Sequence, residues 1–182
     1  TGAPPAGHDG HRAIYDQVRD LMIVVGGGSD DVWALTLGDT PTWTHLAVGG
    51  APPASRAGHT AVYDAAHDRI IVHGGFGSGV LGDVWALSLA GAPTWTQLAP
   101  AGTAPPARFA HAAVYDPARG EMVVFGGYDY SACLQDTWTL SLGDSPAWTQ
   151  MAPAMLTRPI LRHSHAMILD PVRDRVVVCG GW

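Results

Sequence analysis

The sequence predicts an all-β repeat protein made of small four-stranded antiparallel sheets, and three observations carry that reading. A His-x-x-x-x-Asp step followed by a short apolar run ending in Gly-Gly occurs four times, anchored at His11, His59, His111 and His165. A pair of Trp residues ten apart follows each of the first three copies (Trp33 and Trp43, Trp85 and Trp95, Trp138 and Trp148). The copies recur at 48 to 54 residues, a period that marks a repeat architecture.

Each copy reads as four strands. Strand A begins at the His, as in His59-Thr-Ala-Val-Tyr63, and a turn holding the Asp follows it, as in Asp116-Pro-Ala-Arg-Gly120. Strand B is almost wholly apolar (residues 21–25, 70–73, 122–125 and 176–179), as expected of a strand buried on both faces. Strand C alternates, as in Asp83-Val-Trp-Ala-Leu-Ser-Leu89, which puts Trp85, Leu87 and Leu89 on one side. Strand D, such as Thr94-Trp-Thr-Gln-Leu98, is short and more polar, as suits an outer edge. Trp33, Trp85 and Trp138 alternate with apolar residues in every full copy, which is core behaviour.

The spacing separates frame from loops. His to Asp is 5 residues and Asp to the first Gly is 10 in all four copies. The second Gly to the first Trp varies (6, 10 and 11), and the second Trp to the next His runs 16, 16 and 17. The variable B–C and D–A connections share one end of each sheet. Loops of differing length on a rigid frame are where binding residues concentrate.

Composition excludes several classes. Of the 182 residues, 47% are hydrophobic, with 23 Gly and 14 Pro, which fits a folded chain with many short turns. No apolar run approaches the ~20 residues of a membrane-spanning helix. The net charge of −6, without like-charge blocks, offers nothing to a phosphate backbone, so nucleic acid is not an expected partner. All ten basic residues are Arg, and Asn is also absent; both missing residues use A-rich codons, which suggests a GC-rich bacterial gene. The start at Thr1, without initiator Met or leader, leads one to expect a mature product or an excised piece. Cys133 and Cys179 lack zinc-site spacing but could pair in the oxidising extracellular or periplasmic setting that is favoured.

The anchors together, Arg-x-x-His-x-x-x-Tyr-Asp, Ile/Val-Val-x-Gly-Gly, Asp-x-Trp-x-Leu and a second Trp, resemble the kelch repeat. That resemblance implies a β-propeller of the galactose oxidase central-domain type, one blade per repeat, with strand A beside a central channel. It implies a single propeller segment over 1–182, with repeats at about 8–55, 56–107, 108–161 and a partial 162–182. Three full four-stranded blades plus half a blade make a partial ring, so another copy or the remainder of a longer propeller is expected to complete it. The first repeat departs from the pattern, with His8 in place of Arg and a clipped B–C loop at Gly28-Ser29-Asp30.

Within that frame, Arg56, Arg108 and Arg162 lie three residues before a ladder His, at the mouth of strand A on the variable face. Guanidiniums there could clamp an anion, or could form inter-blade salt bridges or simply pack their stems. As surface clamps, their removal should cost little stability. Phe76, Phe109, Tyr128 and Tyr130 supply aromatic surface suited to a sugar or a peptide side chain. The ladder His11, His59, His111 and His165 would set four imidazoles around one axis, the only candidate metal ligands. No carboxylate or Cys repeats in register with them, so they read as backbone-bonding residues between blades, and no cofactor is expected.

The function favoured is a non-catalytic scaffold that binds a protein or glycan on the B–C/D–A face. The alternatives are a galactose-oxidase-like or other sugar-converting enzyme, and a self-assembling half ring. No Gly-x-Ser-x-Gly, His-Glu-x-x-His or phosphate-cradling motif is present, and Glu121 is the single Glu, which excludes a Glu pair.

Overall fold

A computed structural model of the chain describes residues 2–7, 9–152 and 159–182. His8 lies outside the described residues. The fold is all β: three four-stranded antiparallel sheets and one two-stranded sheet, consistent with a partial propeller. Blade 1 comprises β1 (Arg12–Asp16), β2 (Leu21–Val25), β3 (Val32–Thr36) and β4 (Trp43–His45). Blade 2 comprises β5 (Thr60–Asp64), β6 (Arg69–Phe76), β7 (Val80–Ser88) and β8 (Thr94–Leu98). Blade 3 comprises β9 (Ala112–Asp116), β10 (Glu121–Phe125), β11 (Thr137–Ser141) and β12 (Trp148–Gln150). The fourth sheet holds β13 (Ala166–Asp170) and β14 (Arg175–Cys179).

Strand order within each sheet follows the chain, and the A strands β1, β5, β9 and β13 are neighbours in turn, so the sheets stand side by side about their inner edges. Apolar faces meet between sheets. Ile23, Val25 and Val32 of blade 1 pack on Ile70, Val72, Leu87, Leu89 and Trp95 of blade 2. Val62, Ile71, Val84 and Ala86 then pack on Met122, Val124, Trp138, Leu140, Leu142 and Trp148 of blade 3. This explains why strand B is apolar on both faces: one face meets the blade before, the other the blade after. Removing such faces from water supplies about 25 cal/mol per Å² of apolar surface, the main stabilising term in a sheet this small.

The B–C connection of blade 2 differs from expectation. Residues 76–82 are predicted as a loop, but β6 and β7 continue pairing past the glycines, with an irregularity between His73 and Gly75. The extra residues lengthen a hairpin, because Gly75 opposite Leu81 and Phe76 opposite Val80 keep their ladder bonds. The turn closes where Gly77 N–H donates to Gly79 O at 3.0 Å.

The Gly-Gly pairs are required by the joints between blades. Gly74 has φ 64 and Gly75 φ 108, a region that side chains disfavour. A Cβ on Gly74 would lie 3.0 Å from Cε1 of His111 in the next blade, and one on Gly75 would lie 2.9 Å from Cβ of His59 in its own blade. The same contacts recur at Gly126 with His165 and at Gly127 with His111. His59, His111 and His165 are thus each gripped between the first Gly of the preceding blade and the second Gly of their own. The second glycine also bonds across the joint: Gly27, Gly75 and Gly127 N–H donate to the carbonyls of Arg56, Arg108 and Arg162 at 3.0, 2.9 and 2.9 Å.

A Gly127→Ala substitution should therefore cost at least about 2 kcal/mol, from left-handed backbone strain plus overlap with His111. Gly143→Ala, where the added Cβ meets nothing within 4 Å, should stay within about 0.5 kcal/mol of the parent. Urea denaturation of both variants checks the contrast.

Candidate functional site

The loop end of the blades is held together by buried ion pairs. Arg56 is 3% exposed and donates to both oxygens of Asp83 at 2.6 and 2.8 Å, to Gly74 O at 2.9 Å and to Ala54 O at 3.0 Å. Arg108, 0% exposed, repeats this with Asp136 at 2.7 and 2.8 Å, Gly126 O at 2.9 Å and Pro106 O at 3.1 Å. Trp85 and Trp138 Nε1–H add a bond to the same carboxylates, each at 2.6 Å. Burial opposes the charge on Asp83 and Asp136, but the bonds from Arg and Trp outweigh it and hold both carboxyls below their ordinary range.

For Arg56 and Arg108 the geometry is that of a salt bridge, but one made within a single blade and not between two blades as expected. Their donors are spent inside the blade and their side chains are covered, which does not suit the anion clamp. Arg162 takes the same pose, with Nε donating to Ile160 O at 3.2 Å and Nη1 to Gly180 O at 2.7 Å. Among the described residues no carboxylate reaches it: Asp83 lies within and Asp136 just before a C strand, and the fourth sheet has no such strand.

The ladder histidines are wedges. His59, His111 and His165 are buried at the joints, whereas His11 is exposed. The expected bonds to backbone are not their means of attachment. The Val25 and Phe125 carbonyls lie near enough to favour the charged forms of His59 and His165 slightly, but their ring nitrogens do not reach hydrogen-bond geometry. His111 is tied through side chains, with Nε2 at 2.8 Å from Thr60 Oγ1 and 3.2 Å from His73 Nδ1, both in the preceding blade. Burial, reinforced by nearby arginines, holds His59 and His73 down at about 3 and His111 well below its ordinary value, so these rings are neutral near pH 7. Among the described residues, no group of three or more His, Cys, Asp or Glu is placed to hold a metal ion. Cys133 and Cys179 are free thiols.

The four aromatic candidates come together at the loop end. Phe76 lies 5.4 Å from Phe109 and 5.5 Å from Tyr130, and Phe109 lies 5.5 Å from Tyr128 (centroid distances). Tyr128 and Tyr130 are 6.3 Å apart, and Tyr128 continues to His163 at 5.7 Å. Backbone pairing sets this order. Phe109 pairs with Tyr128, and Ala57 with Phe76, so the entry to each A strand lies against the residue after Gly-Gly.

Tyr130 is the most exposed of the four rings at 65%, and its φ of 82 is unusual for a residue with a side chain. Asp129 holds that turn by accepting from Ser131 N–H, Ser131 Oγ and Ala132 N–H at 2.8, 2.7 and 2.8 Å. The sequence reading missed His163 and Trp182, the latter 86% exposed and joined to His163 by two backbone bonds of 3.1 Å. The missed signal is a column: Phe76, Tyr128 and Trp182 each follow a Gly-Gly pair.

Taken with this geometry, comparison with known proteins identifies the family. Residues 1–181 match the family described as the KLHDC2/KLHL20/DRC7 Kelch-repeats domain, and the chain belongs to the kelch-repeat family. The match is to kelch repeats as such, without a galactose-oxidase assignment. The chain is also similar to multiple epidermal growth factor-like domains protein 8 of Rattus norvegicus, 34% identical over 94 residues, and of Mus musculus, 34% identical over 92 residues. Those stretches are 50% and 48% of this chain and 3% of each relative, so the chain corresponds to a small part of either.

Arg108→Ala should lower stability by about 3 kcal/mol, since it strands Asp136 without its buried partner. Arg162→Ala, with no carboxylate to strand, should cost under about 1 kcal/mol. Thermal unfolding of the two variants side by side reads the difference.

Proposed function

We propose that this kelch domain is a binding scaffold whose ligand, a protein or a glycan, meets the B–C/D–A loop face along the aromatic stripe. Kelch-repeat domains generally mediate interactions of these kinds. The observation that carries the reading is the run of rings from Phe76 through Phe109, Tyr130 and Tyr128 to His163, which crosses three successive sheets. Rings at contact distance form a rigid apolar floor with polar tips, and they lose little conformational freedom when a ligand is seated. The strained Tyr130 backbone supports the same reading, because such strain clusters at binding loops. Arg56 and Arg108 act beneath that floor, fixing the loops that carry it.

The test is to screen a glycan array and a displayed peptide library with the parent protein, then with Tyr130→Ala and Trp182→Ala. Ligands of the parent should bind each variant at least ~10-fold more weakly while the unfolding midpoint is unchanged, the response of an exposed aromatic contact. Undiminished binding by the double variant would remove the stripe from the function.

A further inference from the structure

Blade 1 meets blade 2 differently from the way blade 2 meets blade 3. The step from the second Gly to the first Trp is 6 in blade 1, against 10 and 11 in blades 2 and 3. The longer connections close on the next blade, where the Leu81 and Leu134 carbonyls accept from Arg108 and Arg162 N–H at 3.0 and 3.1 Å. Gly82 is pressed so close there that an added Cβ would lie 3.2 Å from Cα of Ala107. Blade 1 carries Asp30 at the place of Gly82, and among the described residues Arg56 N–H makes no such bond. An open cleft of about 300 Å³ is left between the two blades, bounded by Asp30, Asp31, His45, Leu46, Val48 and Trp95, among others.

The polar groups of this cleft are only partly paired. Asp31 stands two residues before Trp33, as Asp83 and Asp136 stand before Trp85 and Trp138. Those two carboxylates are clamped by a buried Arg and accept the indole N–H of their Trp. Asp31 turns outward instead, with Oδ1 3.0 Å from His45 Nε2 and its side chain 44% exposed. Trp33 Nε1–H is left buried without a partner. Asp30 is exposed and makes no hydrogen bond or ion pair among the described residues. The floor is Trp95, 4% exposed, whose Nε1–H is also buried and unpartnered. Buried donors are seldom left so, and both such indoles among the described residues belong to this joint.

We propose that this cleft takes an arginine side chain of a partner protein. Charge selects a cation, because two carboxylates stand in the lining and no Arg or Lys does. A planar guanidinium can bond Asp30 and Oδ2 of Asp31 together, which a compact ammonium does less well. Its apolar stem lies along Leu46 and Val48. The peptide carbonyl of the same residue is the acceptor for Trp95 Nε1–H. The volume is at the low end for ligand clefts and suits one side chain. The site shares no residue with the aromatic stripe and does not depend on it.

The peptide acetyl-Gly-Arg-Gly-amide, titrated into the isotope-labelled whole chain, tests the proposal by NMR. It should shift the backbone amides of Asp30, Asp31 and Val48 saturably and move the Trp95 indole N–H downfield. Matching peptides with lysine, and with citrulline as an uncharged isostere of arginine, should bind at least ~3-fold and ~10-fold more weakly. Combining Asp30→Asn with Asp31→Asn should weaken the arginine peptide at least ~10-fold. Unchanged signals away from the cleft show that this variant is folded. Tyr130→Ala should bind the arginine peptide as the parent does, which separates this site from the stripe. Absent binding, or equal binding of the lysine or citrulline peptide, would overturn the proposal. So would undiminished binding by the Asn variant, an unmoved Trp95 indole, weaker binding by Tyr130→Ala, or shifts spread over other Asp-bearing turns.

Discussion

Each buried ladder histidine (His59, His111 and His165) is gripped between two glycines from successive blades, and the rest of the molecule is arranged around that grip. The A strands can approach only because Gly74 and Gly126 offer no Cβ to the imidazoles of His111 and His165. Once they approach, the second glycine of each pair reaches the carbonyl of the arginine in the next blade. A second row of bonds runs parallel to it: Gly58 N–H to Gly10 O, Ala110 to Gly58 and Ser164 to Ala110, at 3.0, 2.7 and 2.7 Å. The joint is therefore made of backbone and one buried ring, both indifferent to what the loops display above.

The arginines couple that joint to the loops. As the carbonyl of Arg162 accepts from Gly127 N–H, the carbonyl of Arg108 accepts from Gly75 N–H of the preceding blade at no cost to its side chain. Its guanidinium stays available for Asp136 at the start of the C strand, which in turn orients Trp138. One residue thus ties the entry of strand A to the exit of the B–C loop. At the opposite end, Arg19 bridges Asp16 of its own turn and Asp68 of the next blade at 2.8 and 2.6 Å, and Arg119 does the same with Asp116 and Asp174 at 2.7 and 2.6 Å. Those pairs are partly or largely exposed and contribute little individually.

The fold was legible because the constraint repeats. A His, an Asp and two glycines at fixed spacing locate strands A and B, and alternating Trp and Leu locate strand C. Less legible was the role of each polar residue. Arg56 and Arg108 stand at a loop mouth in the sequence, and only the distance to Asp83 and Asp136, 27 and 28 residues on, assigns them to the interior. His73 escaped notice because it sits in an apolar strand of one blade and bonds a ladder His in the next. Ala110 and Ser164 adopt φ of 53 and 55 where Gly10 and Gly58 stand in earlier repeats, a substitution that hides the recurring turn. The aromatic stripe was half visible: its members were named singly, but their contact depends on pairing across blades.

Native-state hydrogen exchange at the glycine amides tests the joint most directly. Gly75 and Gly127 N–H should exchange only through global unfolding, with the same denaturant dependence as the core amides of Ile71 and Val124. Exchange of those two glycine amides by local opening, insensitive to denaturant while the core stays protected, would mean that the blades are held by apolar packing alone and that the histidine grip is incidental.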